Sequence, residues 1–204
     1  MKYRGKLIAF EGIDRAGKSS IVARMSEMLQ VGNVSNTVCG ELHSPLTPVL
    51  REMLQKGSTP FLKTYYFASD RAWEYENNCL PALMRGDVVL WDRYVDSAVV
   101  YRAVEFQRGK SLVDIEFVRA INAPFVAPDL TIYIDISTST SLNRARSSGS
   151  KEPYDAQFLE EVRSAYLCHA HSRNYSIING EPPLEVVAQS VYELIKENFP
   201  GYNI

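Results

Sequence analysis

Eight consecutive residues near the start of the chain carry the pattern G-x-x-x-x-G-K-[ST], from Gly12 to Ser19. The glycines let the backbone curl so that successive N–H groups point inward at phosphate oxygens. The pattern places the amine of Lys18 against the β- and γ-phosphates of a nucleotide and the hydroxyl of Ser19 on Mg²⁺. A helix that begins near Ser19 adds the positive end of its dipole. The segment therefore predicts a site for a nucleoside triphosphate and Mg²⁺.

A second pair of candidates, Asp92 and Arg93, follows the apolar run 88–91. A carboxylate directly after a buried strand can organise Mg²⁺ beside a phosphate loop, directly or through water. The same aspartate could instead cap the next helix. The guanidinium of Arg93 could clamp a transferring phosphoryl group, or it could form a surface salt bridge. The residues alone leave both choices open.

Short apolar runs alternate with amphipathic stretches along the chain, which predicts alternating strands and helices. Strands are predicted at 7–10, 88–91 and 130–136, with weaker candidates at 34–38 and 175–178. Helices are predicted at 19–29, 45–56, 61–85, 96–105, 112–122, 139–146, 156–174 and 184–198, and Pro81 divides the third of these into two. The alternation predicts an α/β fold with a parallel sheet of about five strands, helices on both faces, and a ligand beyond the carboxyl ends of the strands.

Composition narrows the classes of function. The chain has 204 residues, with 22 Lys and Arg against 24 Asp and Glu, for a net charge of −2. A charge so near zero argues against a nucleic-acid polymer or a membrane surface as the partner. The apolar run at 7–10 is too short for a signal peptide or a membrane span. The cysteines form no CxxC pair and indicate a reducing compartment, so we expect a cytoplasmic protein; they are Cys39, Cys79 and Cys168.

A series of motifs in the chain resembles, in order, those of the thymidylate kinase family. The motifs are F-E-G-I-D-R-A-G-K-S at 10–19, F-A-S-D-R at 67–71, G-D-V-V at 86–89, D-R-Y-V-D-S at 92–97 with Tyr101 beyond it, P-D-L-T-I-Y-I-D at 128–135, and Phe158, Val162, Arg163 and Tyr166 on a later helix. The series spans nearly the whole chain and is more specific than any single motif. The resemblance implies a three-layer P-loop NTPase fold and one kinase domain over residues 1–204, with a short lid around 147–155.

The resemblance also implies an activity, which is transfer of the γ-phosphoryl group of ATP to a deoxynucleoside monophosphate, typically dTMP, for dTTP synthesis. Because the acceptor is already an anion, this reaction needs charge neutralisation and positioning more than a base. On this interpretation Lys18, Arg15 and Arg93 neutralise charge. Ser19 and Asp92 organise Mg²⁺. The family is typically homodimeric, so a second copy of the chain is an expected partner.

The position of Arg15 within the phosphate loop carries a further implication. Some members of the family have an arginine here that acts as an internal arginine finger, whereas others supply it from the lid. The lid segment of this chain contains Lys151 and no arginine. The chain therefore resembles the type with the arginine in the loop.

The family's nucleotide contacts can be carried over residue by residue. The donor set is Gly12, Ile13, Asp14, Arg15, Ala16, Gly17, Lys18, Ser19 and Ser20, with Arg144 over the adenine. In the acceptor site, the resemblance implies that Phe67 stacks on the base and Arg71 hydrogen-bonds it. Asp14 receives the 3′-hydroxyl, and Tyr101 crowds the 2′ position. The remaining acceptor-binding residues are Arg93, Ser97 and Arg102.

The sequence departs from the family's pattern at two places. The family commonly has Arg-Glu-Pro-Gly-Gly-Thr after the second strand, and its arginine holds the acceptor phosphate; here the segment from Cys39 reads C-G-E-L-H-S-P. Arg102 also stands where the family usually has glutamine. One hypothesis is that Arg102 supplies the missing positive charge, and its rival is a different acceptor nucleotide.

Three other functions stay open. A kinase of the same fold could act on a nucleoside, although the sequence near Asp92 offers no separate carboxylate as the base. A GTPase would need an N-K-x-D segment, which the chain lacks. A catalytically silent nucleotide-binding module is the third, and the complete set of Lys18, Ser19, Asp92 and Arg93 argues against it.

Overall fold

The structure is a computed structural model that describes residues 3–109, 114–149 and 154–202. Its sheet contains five strands, which are β1 (Lys6–Glu11), β2 (Asn36–Gly40), β3 (Val88–Asp92), β4 (Leu130–Asp135) and β5 (Ser176–Asn179). The strand order is β2-β3-β1-β4-β5, and all four pairings are parallel. The predicted five-stranded parallel sheet is confirmed.

Helices connect and flank these strands. They are α1 (Lys18–Val31), α2 (Thr47–Gln55), α3 (Pro60–Glu74), α4 (Leu80–Arg85), α5 (Val95–Gln107), α6 (Ile115–Asn122), α7 (Thr138–Ser147), α8 (Ala156–Ser172) and α9 (Leu184–Asn198). A π-helical turn, Tyr75–Cys79, joins α3 to α4. It ends just before Pro81, so the predicted division of the long helical segment is confirmed. In the described part of the chain no helix is long and apolar enough to cross a bilayer.

Some element bounds differ from the predicted ones for local reasons. The second strand begins at Asn36, two residues later than predicted, because the preceding turn closes α1 through hydrogen bonds from the backbone N–H of Gly32 to Met28 and of Val34 to Leu29. The helix predicted at 112–122 begins at Ile115, where the carboxylate of Asp114 caps it; residues 112 and 113 lie outside the described residues.

Alternate side chains of β1 enter two separate cores. Ile8 and Phe10 pack in a cluster with α1, α8 and α9, whereas Leu7 and Ala9 pack on the other face with Trp91. Because each face is covered, β1 is buried along nearly its whole length. This burial explains why the strands read as continuous apolar runs, and it confirms the three-layer arrangement.

The parallel pairing places the carboxyl ends of all strands at one edge of the sheet. Glu11, Gly40 and Asp92 end three neighbouring strands, and the backbone register pairs Phe10 and Gly40 with Asp92. The loops that leave this edge are therefore brought together whatever their separation in the chain. This edge carries the candidate site.

Gly180, directly after β5, is closely packed, so we predict that adding a side chain there destabilises the fold. A Cβ on Gly180 would lie 2.6 Å from Cγ2 of Ile134 and 2.9 Å from Cγ2 of Ile136, both of which are buried. We expect Gly180→Ala to lower the free energy of unfolding by about 1–3 kcal/mol through overpacking. Thermal and urea unfolding measure the effect. Gly201→Ala is the matched control, because its Cβ would meet nothing within 4 Å; equal stabilities of the two variants would contradict the prediction.

Candidate active site

The phosphate loop lies between β1 and α1, and its glycines are required by its geometry. Gly12 has a φ of 152°, and a Cβ at this position would lie 2.7 Å from the carbonyl oxygen of Ile134. Gly17 has a φ of 92° and is the N-cap of α1. Only glycine adopts such backbone without strain, so the two glycines of the pattern give the loop its curl.

Lys18 lies inside that curl. Its ammonium donates hydrogen bonds to the carbonyl oxygens of Gly12 (3.0 Å) and Ile13 (2.8 Å), and the residue is only 4% exposed. Burial and the nearby guanidinium of Arg93 lower the pKa of Lys18 to about 8. A phosphate that entered the loop would supply the negative charge that this amine needs.

Ser19 and Asp92 meet as the sequence predicts. The Ser19 hydroxyl donates a hydrogen bond of 2.5 Å to Oδ2 of Asp92, while the buried Oδ1 has no hydrogen-bond partner among the described residues. Asp92 does not cap a helix, because the N-cap of α5 is Tyr94. A hydroxyl, an unpartnered carboxylate oxygen and nearby space for phosphates fit the few protein ligands that Mg²⁺ takes.

Arg93 lies between the phosphate loop and the rest of the site. Its guanidinium contacts the carboxylate of Asp14, donates to the carbonyl oxygen of Gly12 (3.3 Å) and lies over the ring of Tyr101, 5.7 Å from the centroid. The side chain is 18% exposed, so this contact is not an ordinary surface salt bridge. Arg93 is placed to touch anions on both sides of Asp14.

Arg15 and Arg144 lie at the outer side of the loop. The side chain of Arg15 is exposed, and its backbone has a φ of 62°. Arg144 donates from Nη1 to the carbonyl oxygen of Arg15 (3.1 Å) and from Nη2 to that of Gly180 (2.9 Å). Arg144 thus joins the phosphate loop to the segment after β5, but it does not itself line the cavity at the loop.

Two cavities open at this edge of the sheet. One cavity has a volume of about 420 Å³, and we call it the donor cavity because the phosphate loop forms its wall. It is lined by Asp14, Arg15, Gly17, Lys18, Ser19, Ser20 and Arg93. Ile13 and Ala16, which the resemblance also assigns to the donor set, have their side chains in the core. Their contribution is confined to the backbone of the loop.

The other cavity has a volume of about 380 Å³, and we call it the acceptor cavity after the predicted acceptor residues on its wall. It shares Asp14 and Arg93 with the donor cavity. It is lined by four of the other acceptor residues named above, Phe67, Ser97, Tyr101 and Arg102. The structure therefore brings the two groups of predicted residues together, with one arginine and one carboxylate at their junction.

Arg71 is the predicted acceptor residue that does not line the cavity. It is 1% exposed and donates to Oδ1 of Asn122 (2.6 Å), the carbonyl oxygen of Tyr94 (3.2 Å) and Oε1 of Glu41 (3.3 Å). Glu41 does line the cavity. In this structure Arg71 therefore reaches the cavity through the Glu41 carboxylate.

Ser97 is held by a buried carboxylate that the motif reading did not single out. Glu11 accepts hydrogen bonds from the hydroxyls of Ser97 (2.5 Å) and Tyr166 (3.1 Å) and from the backbone N–H of Tyr94 (3.0 Å). Burial and the Asp96 carboxylate raise the pKa of Glu11 to about 7. The position of Glu11, one residue before the loop glycine, is the signal that could have identified it.

Other cavity residues were missed by the sequence analysis. They are Glu41, Leu42, Leu54, Lys63, Thr64, Ala98 and Tyr154. Lys63 precedes Phe67 by one helical turn, so helical spacing could have found it. Leu54 and Tyr154 come from distant segments, and only the tertiary fold places them here. Of the expected lid at 147–155, residues 150–153 lie outside the described residues, Lys151 among them.

Comparison with known proteins identifies the family. A sequence model described as thymidylate kinase matches residues 10–191. A probable thymidylate kinase of Pyrobaculum aerophilum is 33% identical over 193 residues, 93% of this chain and 95% of its own length. A thymidylate kinase of Caldanaerobacter subterraneus subsp. tengcongensis is 30% identical over 209 residues, 98% of this chain and all of its own. The chain belongs to the thymidylate kinase family.

Membership of the thymidylate kinase family confirms the resemblance drawn from the motifs. A probable thymidylate kinase of Pyrobaculum calidifontis is also similar, with 31% identity over 192 residues, 93% of this chain and 95% of that protein. The segment after β2, which differs in sequence from the family's usual Arg-Glu-Pro-Gly-Gly-Thr, also lies at the site in this structure. Glu41 and Leu42 line the acceptor cavity, and the segment from Cys39 to Pro45 contains no arginine or lysine.

The lowered pKa of Lys18 predicts a pH dependence of nucleotide binding. Bound phosphates raise the pKa of this amine, so binding of Mg·ATP takes up a proton at a pH where the free amine has lost it. We expect unchanged affinity below pH 8 and a decline approaching tenfold per pH unit above it. Calorimetry in buffers of different ionisation enthalpy measures the uptake. Lys18→Arg, which stays charged, should abolish the uptake; a wild-type protein with none at pH 9 would contradict the prediction.

Proposed function

We propose that this chain transfers the γ-phosphoryl group of ATP to dTMP, forming dTDP for dTTP synthesis. The observation that carries the proposal is the junction of the two cavities at Asp14 and Arg93. One cavity has the phosphate loop on its wall, and the other is sized for a mononucleotide. A donor and an acceptor phosphate that entered from the two sides would meet at the guanidinium of Arg93.

On the donor side, the curled backbone from Gly12 to Gly17 and the ammonium of Lys18 bind the β- and γ-phosphates. Lys18 then exchanges its two carbonyl contacts for phosphate oxygens. Ser19 and Asp92 hold Mg²⁺, which when bound supplies charge neutralisation on the phosphates. Arg144, held by its hydrogen bonds to the carbonyl oxygens of Arg15 and Gly180, covers the adenine.

On the acceptor side, the half-buried ring of Phe67 stacks on the base. Tyr101, whose ring lies beside Arg93 on the cavity wall, crowds the 2′ position of the sugar and so favours deoxyribose. Asp14 accepts the 3′-hydroxyl. Ser97, oriented by Glu11, completes the floor beside the base.

No base is needed for this reaction, because the acceptor phosphate is already an anion. Catalysis consists of holding the two phosphates in line and neutralising the charge that spreads over the transferring group. Arg93 neutralises this charge from the junction of the two cavities, and Arg15 neutralises it from the wall of the donor cavity. Both arginines have positive φ values, 62° for Arg15 and 63° for Arg93, which cost some backbone strain.

A homodimer in the cytoplasm is part of the proposal. Neighbouring helices α2, α3 and α6 expose apolar side chains, which are Val49, Met53, Phe61, Leu62, Tyr65 and Phe117. The ring of Tyr65 lies 5.2 Å from that of Phe61 and 5.7 Å from that of Phe117, so part of this surface is continuous. Such a patch supports an interface with a second copy, which light scattering tests. The three free cysteines are compatible with a reducing compartment.

An acceptor panel tests the activity. ADP release from ATP and Mg²⁺ is measured with each deoxy- and ribonucleoside monophosphate and with thymidine. We expect turnover with dTMP to exceed that with the other acceptors. Preference for another monophosphate would show that dTMP is not the main substrate. Turnover with thymidine alone would indicate a nucleoside kinase. No turnover with any acceptor would refute the proposal that the chain is an enzyme.

Arg15 gives a more specific prediction. Because its side chain is exposed and lines the donor cavity, Arg15→Ala should lower kcat by about 10³-fold or more, the typical effect of an arginine finger in this chemistry. The dissociation constant of ATP should change little, because the loop backbone and Lys18 remain. Arg146→Ala, which removes an exposed arginine outside both cavities, is the matched control. An unchanged kcat in Arg15→Ala would remove this role.

A further inference from the structure

Three charged side chains form a cluster on the wall of the acceptor cavity, and the family motifs assign a role to only one of them. Glu105 lies between Lys63 and Arg102, with Nζ of Lys63 3.5 Å from Oε1 and Nε of Arg102 2.8 Å from Oε2. Lys63 and Arg102 line the cavity, whereas Glu105 lies behind them. We call these residues the 63–102–105 cluster. The inference that follows rests on the proposed function, because it concerns how dTMP is held.

The cluster carries one positive charge in excess, and its charges are shielded from water. The side chains of Arg102 and Glu105 are each 5% exposed and that of Lys63 is 20% exposed. The Arg102–Glu105 pair is close but not aligned as a hydrogen bond, since neither Nε nor Oε2 has a hydrogen-bond partner. Two cations that share one carboxylate in such surroundings favour a further anion.

The position of the cluster along α3 also fits the phosphate of a nucleotide whose base stacks on Phe67. Arg71, Phe67 and Lys63 are spaced by four residues on α3, so they lie on one face with about 6 Å of rise between each pair. Arg71 is 1% exposed and does not line the cavity, whereas Phe67 and Lys63 are both half-buried and line it. A base stacked on Phe67 therefore has its sugar and phosphate toward the level of Lys63.

The rest of the cavity does not neutralise a phosphate dianion. Arg93 already contacts the carboxylate of Asp14, and Glu41 adds a second carboxylate to the lining. The segment after β2, where the family has its phosphate-binding arginine, contributes Glu41 and Leu42 and no cation. The carboxylates of Glu41 and Asp14 are paired with the guanidinium groups of Arg71 and Arg93, so an acceptor phosphate would meet no excess of positive charge among these four residues.

We propose that Lys63 and Arg102, held in place by Glu105, bind the 5′-phosphate of the acceptor nucleotide and replace the arginine that is missing after β2. Glu105 holds both cations at the cavity wall through its two ion pairs. Tyr154 supports the arrangement, because Nζ of Lys63 lies 5.7 Å from the centroid of its ring. Arg102 alone does not suffice, since Glu105 neutralises it.

Direct binding measurements separate a phosphate contact from a base contact. Calorimetry gives the dissociation constants of dTMP and of thymidine, which lacks the phosphate, for the wild type, Lys63→Met and Lys63→Met/Arg102→Gln. We expect Lys63→Met to weaken dTMP about tenfold and the double variant to weaken it further. The affinity for thymidine should change less than about twofold. Lys63→Arg, which keeps the charge, should bind dTMP within about threefold of the wild type.

The controls keep this inference separate from the proposed function. Thermal unfolding and ATP affinity establish that each variant is folded. Equal weakening of dTMP and thymidine, unchanged dTMP affinity in the double variant, or a wild type that binds dTMP no more tightly than thymidine would overturn the inference. A wild type that binds dTMP with the expected dependence on Lys63 but does not phosphorylate it would overturn the proposed function alone.

Discussion

The contact between Arg93 and Asp14 is the interaction on which the site depends. It lies where β3 leaves the sheet and where the phosphate loop leaves β1, and it separates two cavities that share both side chains. The register that pairs Phe10 with Asp92 fixes this proximity, because it aligns the ends of the two strands. In the proposed function the two phosphates meet at this pair, so their relative position follows from the pairing of two strands.

The charged groups at this edge of the sheet balance one another locally, and several of them are buried, which disfavours their charged forms. Lys18 occupies the curl of its own loop and has a lowered pKa, while Glu11 behind the loop has a raised pKa because it is enclosed. Both shifts show that the protein holds ionisable groups in an environment that disfavours their charge. In the proposed function, bound phosphates and Mg²⁺ complete this balance, so a chain of nearly neutral composition can still bind anions at one site.

Much of the fold and of the donor site could be predicted from the sequence. The buried runs at 7–10, 88–91 and 130–136 are strands because they are covered on both faces, and the loop from Gly12 to Ser19 is local, so its spacing alone implies its conformation. The acceptor site was harder to predict. Helical spacing from Phe67 points toward Lys63, but nothing in the sequence shows that Glu105 pairs with Lys63 or that Arg71 turns toward Glu41 and Asn122. Those contacts join residues that are 30 to 51 positions apart in the chain.

The sequence by itself determined the α/β alternation, the phosphate loop, the order of the family motifs and the absence of an arginine after the second strand. These features depend on local backbone conformation and on residue type, which a linear pattern records. Tertiary structure decided which side chains share a cavity, which carboxylates are buried and which cations are already paired. The physical reason is that charge balance depends on distance and solvent exposure in three dimensions, and neither quantity is a property of spacing along the chain.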